Sequence, residues 1–171
     1  MKLIVSDRPL TLAEPVCRDI QLIDLSGLQI TNCVGCFGCW TKTPGKCVIR
    51  DDAVKVYPCI AASDKLMYVS KIRYGSYDTI MKTMLERAIP VQQAFIRLHH
   101  GETHHFQRRV ASKQAVIIGY GESSDAERAV FEKLVARNAH NMNFESWRVV
   151  FAPEHELEQT VEREVLAWEK S

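Results

Sequence analysis

Short apolar runs alternate along this chain with longer stretches in which apolar residues recur every three or four positions. The short runs are Lys2 to Ser6, Ile20 to Leu25, Lys65 to Ser70, Gln114 to Tyr120 and Trp147 to Phe151. Their length and their β-branched and aromatic content predict strands. A helix is predicted to start at Asp51-Asp52, acidic residues suited to a positive helix end, and to run towards Ser63. Pro58 lies inside it, where a missing N–H and a ring clash predict a kink or a restart. Asp78 to Ala88 is a second helix: Ile80, Met81, Met84, Leu85 and Ala88 share one face, and Pro90 ends it. Ser124 with Glu127 three residues on forms a capping box for a helix to about Asn141. The last helix runs from about Glu154 to Lys170, with Leu157, Val161, Val165 and Trp168 as its stripe. Val91 to Leu98 reads as a further helical turn, and residues 26–50 as loop.

Strands alternating with helices imply a parallel sheet covered on both faces. Ligands in such sheets bind at the carboxyl ends of the strands, near the switch point of strand order. The loops of interest therefore follow strands one, three and four, at residues 7–16, 70–77 and 120–124. At 171 residues the chain is one domain's worth, residues 1–171, and needs no disulfide staples. Lys plus Arg number 22 against 21 Asp plus Glu, a net charge of +1, which excludes nucleic-acid binding by bulk charge. No stretch approaches the ~18 apolar residues of a membrane helix, and the first residues make no signal-peptide core. The expectation is a cytoplasmic protein with neither nucleic-acid nor membrane partners.

Candidate chemistry concentrates in the cysteines. Of six, four fall at Cys33, Cys36, Cys39 and Cys47, in the spacing C-x2-C-x2-C-x7-C. In a reducing compartment such a cluster points to a metal or redox site rather than a disulfide framework. Four thiolates on a flexible loop suit an iron–sulfur cluster. Zinc is a second option, although structural zinc sites more often use two separated pairs. A compact loop of small buried thiols, turned by Gly35, Gly38 and Pro44-Gly45, is the third. Cys17 and Cys59 read as small buried residues. His99, His100, His104 and His105 make a second cluster, but Gly101 prevents a helix from aligning His100 with His104. Metal binding and a polar or dimer-contact loop both remain open there. No G-x-S-x-G, P-loop or His-Glu-x-x-His pattern supports a hydrolase or NTPase.

The cysteine run followed by Pro44-Gly45-Lys46-Cys47 and Asp51-Asp52 resembles the NADPH-dependent FMN reductase and iron–sulfur flavoprotein family. Arg73-Tyr74-Gly75-Ser76, then Met81-Lys82 and Glu86-Arg87, resembles that family's third-strand loop and third helix. Gly119-Tyr120-Gly121 after the fourth strand is a further match, and the resemblance spans about residues 17–171. It implies a flavodoxin-like three-layer α/β/α sandwich, with a five-stranded parallel sheet in order 2-1-3-4-5. It also implies FMN bound by loops one, three and four, with NADPH or NADH as electron donor and a small molecule as acceptor. Arg73, Tyr74, Gly75, Ser76, Tyr120 and Gly121 fall where the flavin would lie, and Cys33, Cys36, Cys39 and Cys47 where some members hold their cluster. The histidine segment falls where the family has an insertion lining the cofactor edge.

The chain departs from that pattern after strand one. Residues 7–19 hold Pro9 and Pro15 and leave no room for a three-turn helix, and the family's glycine is replaced by Asp7. The first helix is expected to be reduced or absent. One sheet face would then be partly uncovered, so a homo-oligomer is expected, and Arg8 or Arg73 would have to anchor the FMN phosphate. Three readings follow: a flavin-dependent NAD(P)H oxidoreductase with no obligate catalytic side chain, a non-catalytic partner subunit that has lost FMN, and an iron–sulfur electron carrier.

Overall fold

The computed structural model describes residues 1–14, 18–99 and 101–168. Pro15, Cys17, His100 and Lys170, named above, lie outside the described residues. Five parallel strands form the main sheet: β1 (Lys2–Ser6), β2 (Ile20–Asp24), β3 (Lys65–Arg73), β7 (Lys113–Tyr120) and β8 (Phe144–Ala152). Their order is β2-β1-β3-β7-β8, which is the expected 2-1-3-4-5 counted along the parallel strands. The two-residue strand β4 (Ser76–Tyr77) folds back antiparallel on the end of β3. Strands β5 (Gln92–His99) and β6 (Glu102–Gln107) form a separate two-stranded hairpin.

The sheet is buried on both faces, so alternate residues of each strand serve two cores. Leu3, Val5, Leu66, Tyr68, Ala115 and Ile117 face α2 (Ala53–Ala62), α3 (Thr79–Glu86) and α4 (Asp125–Asn141). Ile4, Met67, Val69, Val116, Ile118 and Tyr120 face α5 (Leu157–Trp168). A four-residue helix, α1 (Gly38–Thr41), lies inside the cysteine loop. The capping box forms as expected, with Ser124 and Glu127 each satisfying the other's backbone N–H.

Three expectations are corrected. Helix α2 does not restart at Pro58: its ten residues are continuous, and the proline stands on the exposed face. Residues 92–99 are strand rather than helix, because the turn at Gly101 (φ 80°) folds them against β6. The sheet face lacking a helix after β1 is not left bare. Among the described residues between β1 and β2 there is no helix, and residues 8–13 instead run extended beside α5. Thr11 N–H donates to Glu158 Oε1 (2.9 Å), Ala13 N–H to Glu162 Oε1 (2.8 Å), and Leu10 and Leu12 pack on the second core. No helix among the described residues is long and apolar enough to cross a membrane.

Candidate functional site

The switch point of the strand order lies between β1 and β3, and the first residue beyond β1 is Asp7. Its N–H donates to Val69 O (3.0 Å), which turns the side chain inward, and only 6% of the residue is exposed. Its carboxylate accepts three hydrogen bonds: from Ser70 Oγ (2.9 Å), from Lys71 N–H (2.8 Å) and from the Tyr120 hydroxyl (2.8 Å). Burial pushes the Asp7 carboxyl up, and these donors work against that shift. Burial, then the nearby Asp7 charge, push the Tyr120 phenol well up. The carboxylate thus fills an anion-holding niche made by the ends of β3 and β7.

A second carboxylate stands outside it. Glu154, just past β8, accepts from Arg8 Nη1 (2.9 Å) and Lys71 Nζ (3.2 Å). Arg8 also lies over the Tyr120 ring at 5.8 Å. Both cations nearest β1 are therefore already paired. Arg73 Nε pairs with Asp78 Oδ2 (3.1 Å) and stays half in solvent. Tyr74 projects from the loop tip, 92% exposed, in the left-handed region (φ 52°). Gly75 follows at φ 70°, and a Cβ there would come within 2.8 Å of Val130, so the turn demands glycine. Ser76 pairs with Arg73 in β4, and Gly121 (φ 92°) donates to Ala152 O. Tyr120 is 4% exposed, its ring in the second core and its hydroxyl on Asp7.

Two clefts meet at Arg73. One, of ≈ 920 Å³, opens between the ends of β3, β7 and β8 and is lined by Lys71, Arg73, Gly121, Ser123, Arg128 and His155. The other, of ≈ 630 Å³, is lined by Cys33, Arg73, Tyr74, Thr79, Lys82 and Glu86. Ser123 falls within residues 120–124, but Glu154 and His155 follow the fifth parallel strand, outside loops one, three and four, and Arg128 stands on the first turn of α4. A position immediately after the Trp147 to Phe151 run was the available signal.

The cysteine loop is held from beneath by Arg87, which is 2% exposed. Its guanidinium forks onto Asp51 (2.6 and 2.8 Å), donates to Thr31 O (2.6 Å) and reaches Cys47 Sγ at 3.4 Å. Burial works upward on the Asp51 carboxyl, yet the Arg87 and Thr31 donors hold it far below the usual carboxylate range. Asp51 thus anchors the loop, while Asp52 spends its side chain on Gln29 N–H and Lys55 rather than on capping α2. Cys33, Cys36, Cys39 and Cys47 all line one small cavity of ≈ 50 Å³ with Phe37 and Trp40. Burial, then the neighbouring Cys47, push the Cys39 thiol up. Cys59 bonds Lys55 O from α2 and is only partly buried. Among the described residues no group of three His, Cys, Asp or Glu side chains is placed to hold a metal ion.

The histidine segment does not overhang the strand ends. His104 is buried between Asn141 Oδ1 (3.1 Å) and Glu102 Oε2 (3.0 Å), and Glu102 forks with Arg137 (2.8 and 2.7 Å). Asn141 and Arg137 belong to the C-terminal end of α4, a 17-residue helix whose N-terminus is the end that follows Gly121. At 1.5 Å per residue the two ends stand roughly 25 Å apart.

No protein-family model matches the chain, and no curated protein sequence matches it. Solved structures do. An FMN-dependent NADH-azoreductase from Bacillus anthracis, solved in complex with FMN, superposes with a TM-score of 0.56 at 12% identity, over 96% of each chain. An NAD(P)H:quinone oxidoreductase from Methanothermobacter marburgensis gives 0.60 at 9% identity, over 95% of this chain and 93% of that one. The azoreductase AzrA gives 0.58 at 13% identity, over 96% and 92%. Together with the strand order, these likenesses establish a flavodoxin-like α/β fold.

Proposed function

We propose that this chain serves NAD(P)H-driven, flavin-linked reduction of a small acceptor as a flavodoxin-like subunit that does not seat an FMN phosphate at its own first strand. The fold is that of FMN-dependent azoreductases and quinone reductases, which supports the reaction class. The residues present do not fit the phosphate. A flavin phosphate in a fold of this kind is held by backbone amides and a helix N-terminus. No helix begins among the described residues between β1 and β2, and the amide of Lys71 is already taken by Asp7. At ~4 Å a second anion would meet Asp7 with a repulsion of about 4 kcal/mol per unit charge. The locked Asp7 carboxylate is the observation that carries this reading.

The test is an absorbance spectrum of anaerobically purified protein followed by titration with FMN. No saturable shift of the flavin band, and no NADPH oxidation by the chain alone, is the expected result. Saturable binding with a shifted band would overturn it. That outcome would favour the second reading, a self-sufficient flavin reductase. Its support is the ≈ 920 Å³ cleft with Lys71, Arg73 and Arg128 on its walls, and the exposed Tyr74 beside it. There Arg73 and Gly121, with Tyr74 and Ser76 in the adjoining cleft, would supply the flavin contacts, whereas Tyr120 is buried on Asp7 and Arg8 is paired with Glu154. Cluster absorbance in the same spectrum would instead favour the iron–sulfur carrier.

A further inference from the structure

Two segments of the cysteine loop are pressed together, each one residue away from a cysteine. Gly38 precedes Cys39 and Val48 follows Cys47, and a Cβ on Gly38 would lie 2.7 Å from Val48 Cγ1, so glycine is what admits this approach. Gly45 N–H donates to Cys39 O (3.0 Å), which draws the intervening turn back onto the first cysteine. Cys39 and Cys47 thus line the same small cavity with Phe37, Trp40, Ile49 and Ile89, and both are half-buried. Cys33 and Cys36, on the rim of that cavity, are exposed.

The two half-buried thiols are held differently. Cys47 is tethered to the body of the domain: its N–H donates to the Tyr57 hydroxyl on α2 (3.1 Å), and Arg87 Nη2 donates to its sulfur (3.4 Å). Arg87 is itself fixed by its fork onto Asp51. Cys39 rides on α1, where burial first and Cys47 second push its thiol up, so it is the later of the two to react.

We propose that Cys39 and Cys47 form a dithiol–disulfide site that exchanges two electrons with a small organic disulfide. The Cys47 sulfur attacks one sulfur of the substrate's S–S bond and forms a mixed disulfide, and the first thiolate leaves and takes up the proton that Cys47 gave up. The Cys39 sulfur then attacks Cys47 Sγ, and its proton goes to the second thiolate as that leaves. The chain loses two hydrogens with their electrons, and the substrate becomes two thiols. The second step is intramolecular. The fold already holds the two segments together, so ring closure outruns the formation of a second mixed disulfide. Excess small thiol runs the same two steps backwards. The inference stands whether or not the chain seats flavin.

The experiment uses the full chain, purified anaerobically and assayed for iron and zinc. It is incubated at fixed reduced glutathione with rising oxidised glutathione, quenched in acid, alkylated and mapped by mass spectrometry. Cleavage after Phe37, Trp40 and Lys46 separates Cys39 from the other three loop cysteines. One internal disulfide joining Cys39 to Cys47 is expected, at about tenfold less oxidised glutathione than modifies the half-buried Cys59. The fluorescence of Trp40, in the cavity wall, should fall as the disulfide forms and return in excess reduced glutathione. Cys39→Ser should stop at a glutathione adduct on Cys47, and Cys33→Ser and Cys36→Ser should oxidise as the wild type does. Free thiols at Cys39 and Cys47 where Cys59 is already modified, a disulfide between any other pair, or a bound metal that closes all four sulfurs overturns the proposal. So does a folded Cys39→Ser chain whose Cys47 takes up no glutathione.

Discussion

Replacing Asp7 with alanine tests the centre of the switch point. The substitution removes an acceptor for three buried or partly buried donors: the Ser70 hydroxyl, the Lys71 N–H and the Tyr120 hydroxyl. Each donor left without a partner costs about 1–3 kcal/mol. The hydroxyls can turn elsewhere, and Ser70 already has Lys71 O within 3.2 Å, so the low end applies to it. The loss of a buried charge returns part of the cost. A net destabilisation of roughly 2–4 kcal/mol remains, which at about 2–4 °C per kcal/mol for a chain of this size lowers Tm by roughly 4–16 °C. Asp7→Asn keeps an acceptor for Ser70 and Lys71, and its amide can donate to Tyr120, so it should lie within about 1 kcal/mol of wild type at neutral pH. The pH dependence separates charge from packing. The folded carboxyl titrates above its unfolded value of 3.8, so the folded state holds its proton more tightly over that window. The wild type's stability relative to Asp7→Asn should therefore be greatest below 3.8 and fall as pH rises through the folded pKa. Thermal melts by circular dichroism at pH 3.5, 5 and 7 read both effects. Asp7→Ala melting within 2 °C of wild type, with an Asp7→Asn difference flat in pH, would refute the locked carboxylate.

Further outcomes follow from the same geometry. Arg87→Ala leaves Asp51 buried without its fork and should cost about 3–5 kcal/mol, and it should speed reaction of the Cys47 thiol with a disulfide reagent as the loop loosens. Gly75→Ala puts a Cβ at φ 70° and 2.8 Å from Val130, and a loss of about 2 kcal/mol is expected from urea unfolding. Glu102 is held down to about 2 by Arg137 first and His104 second, so its grip on the hairpin is complete above the unfolded value of 4.5. That grip is lost as pH falls towards 2, and hydrogen exchange of residues 102–107 should quicken over that interval while the β3 amides do not follow.

The local grammar of this fold is legible in the chain. Each parallel strand is a short apolar run whose residues serve two cores, and that run is visible without knowing its neighbours. The Ser124–Glu127 box and the glycine after Tyr74 are equally local, because capping and left-handed turns depend on a few adjacent residues. That no three-turn helix fits between the first two strands is also readable, from two prolines in so short a segment. What replaces it is not. That Leu10 and Leu12 would lie along α5 depends on Glu158 and Glu162, nearly 150 residues away.

The same distance separates sequence from site. Asp7 reads in the chain only as a negative charge where a phosphate loop would be expected, because its donors come from residues 63, 64 and 113 positions further on. Arg87 finds Asp51 across 36 positions, and the hairpin hides as a helical turn because both of its faces are apolar. Periodicity and turn chemistry are properties of neighbouring residues, so the sequence by itself determined the five parallel strands, most helices and their winding into a parallel sheet. Only the tertiary structure decided that the crevice is filled by the protein's own carboxylate and that an apolar arm stands outside, because both depend on which distant residues the sheet order brings within bonding distance.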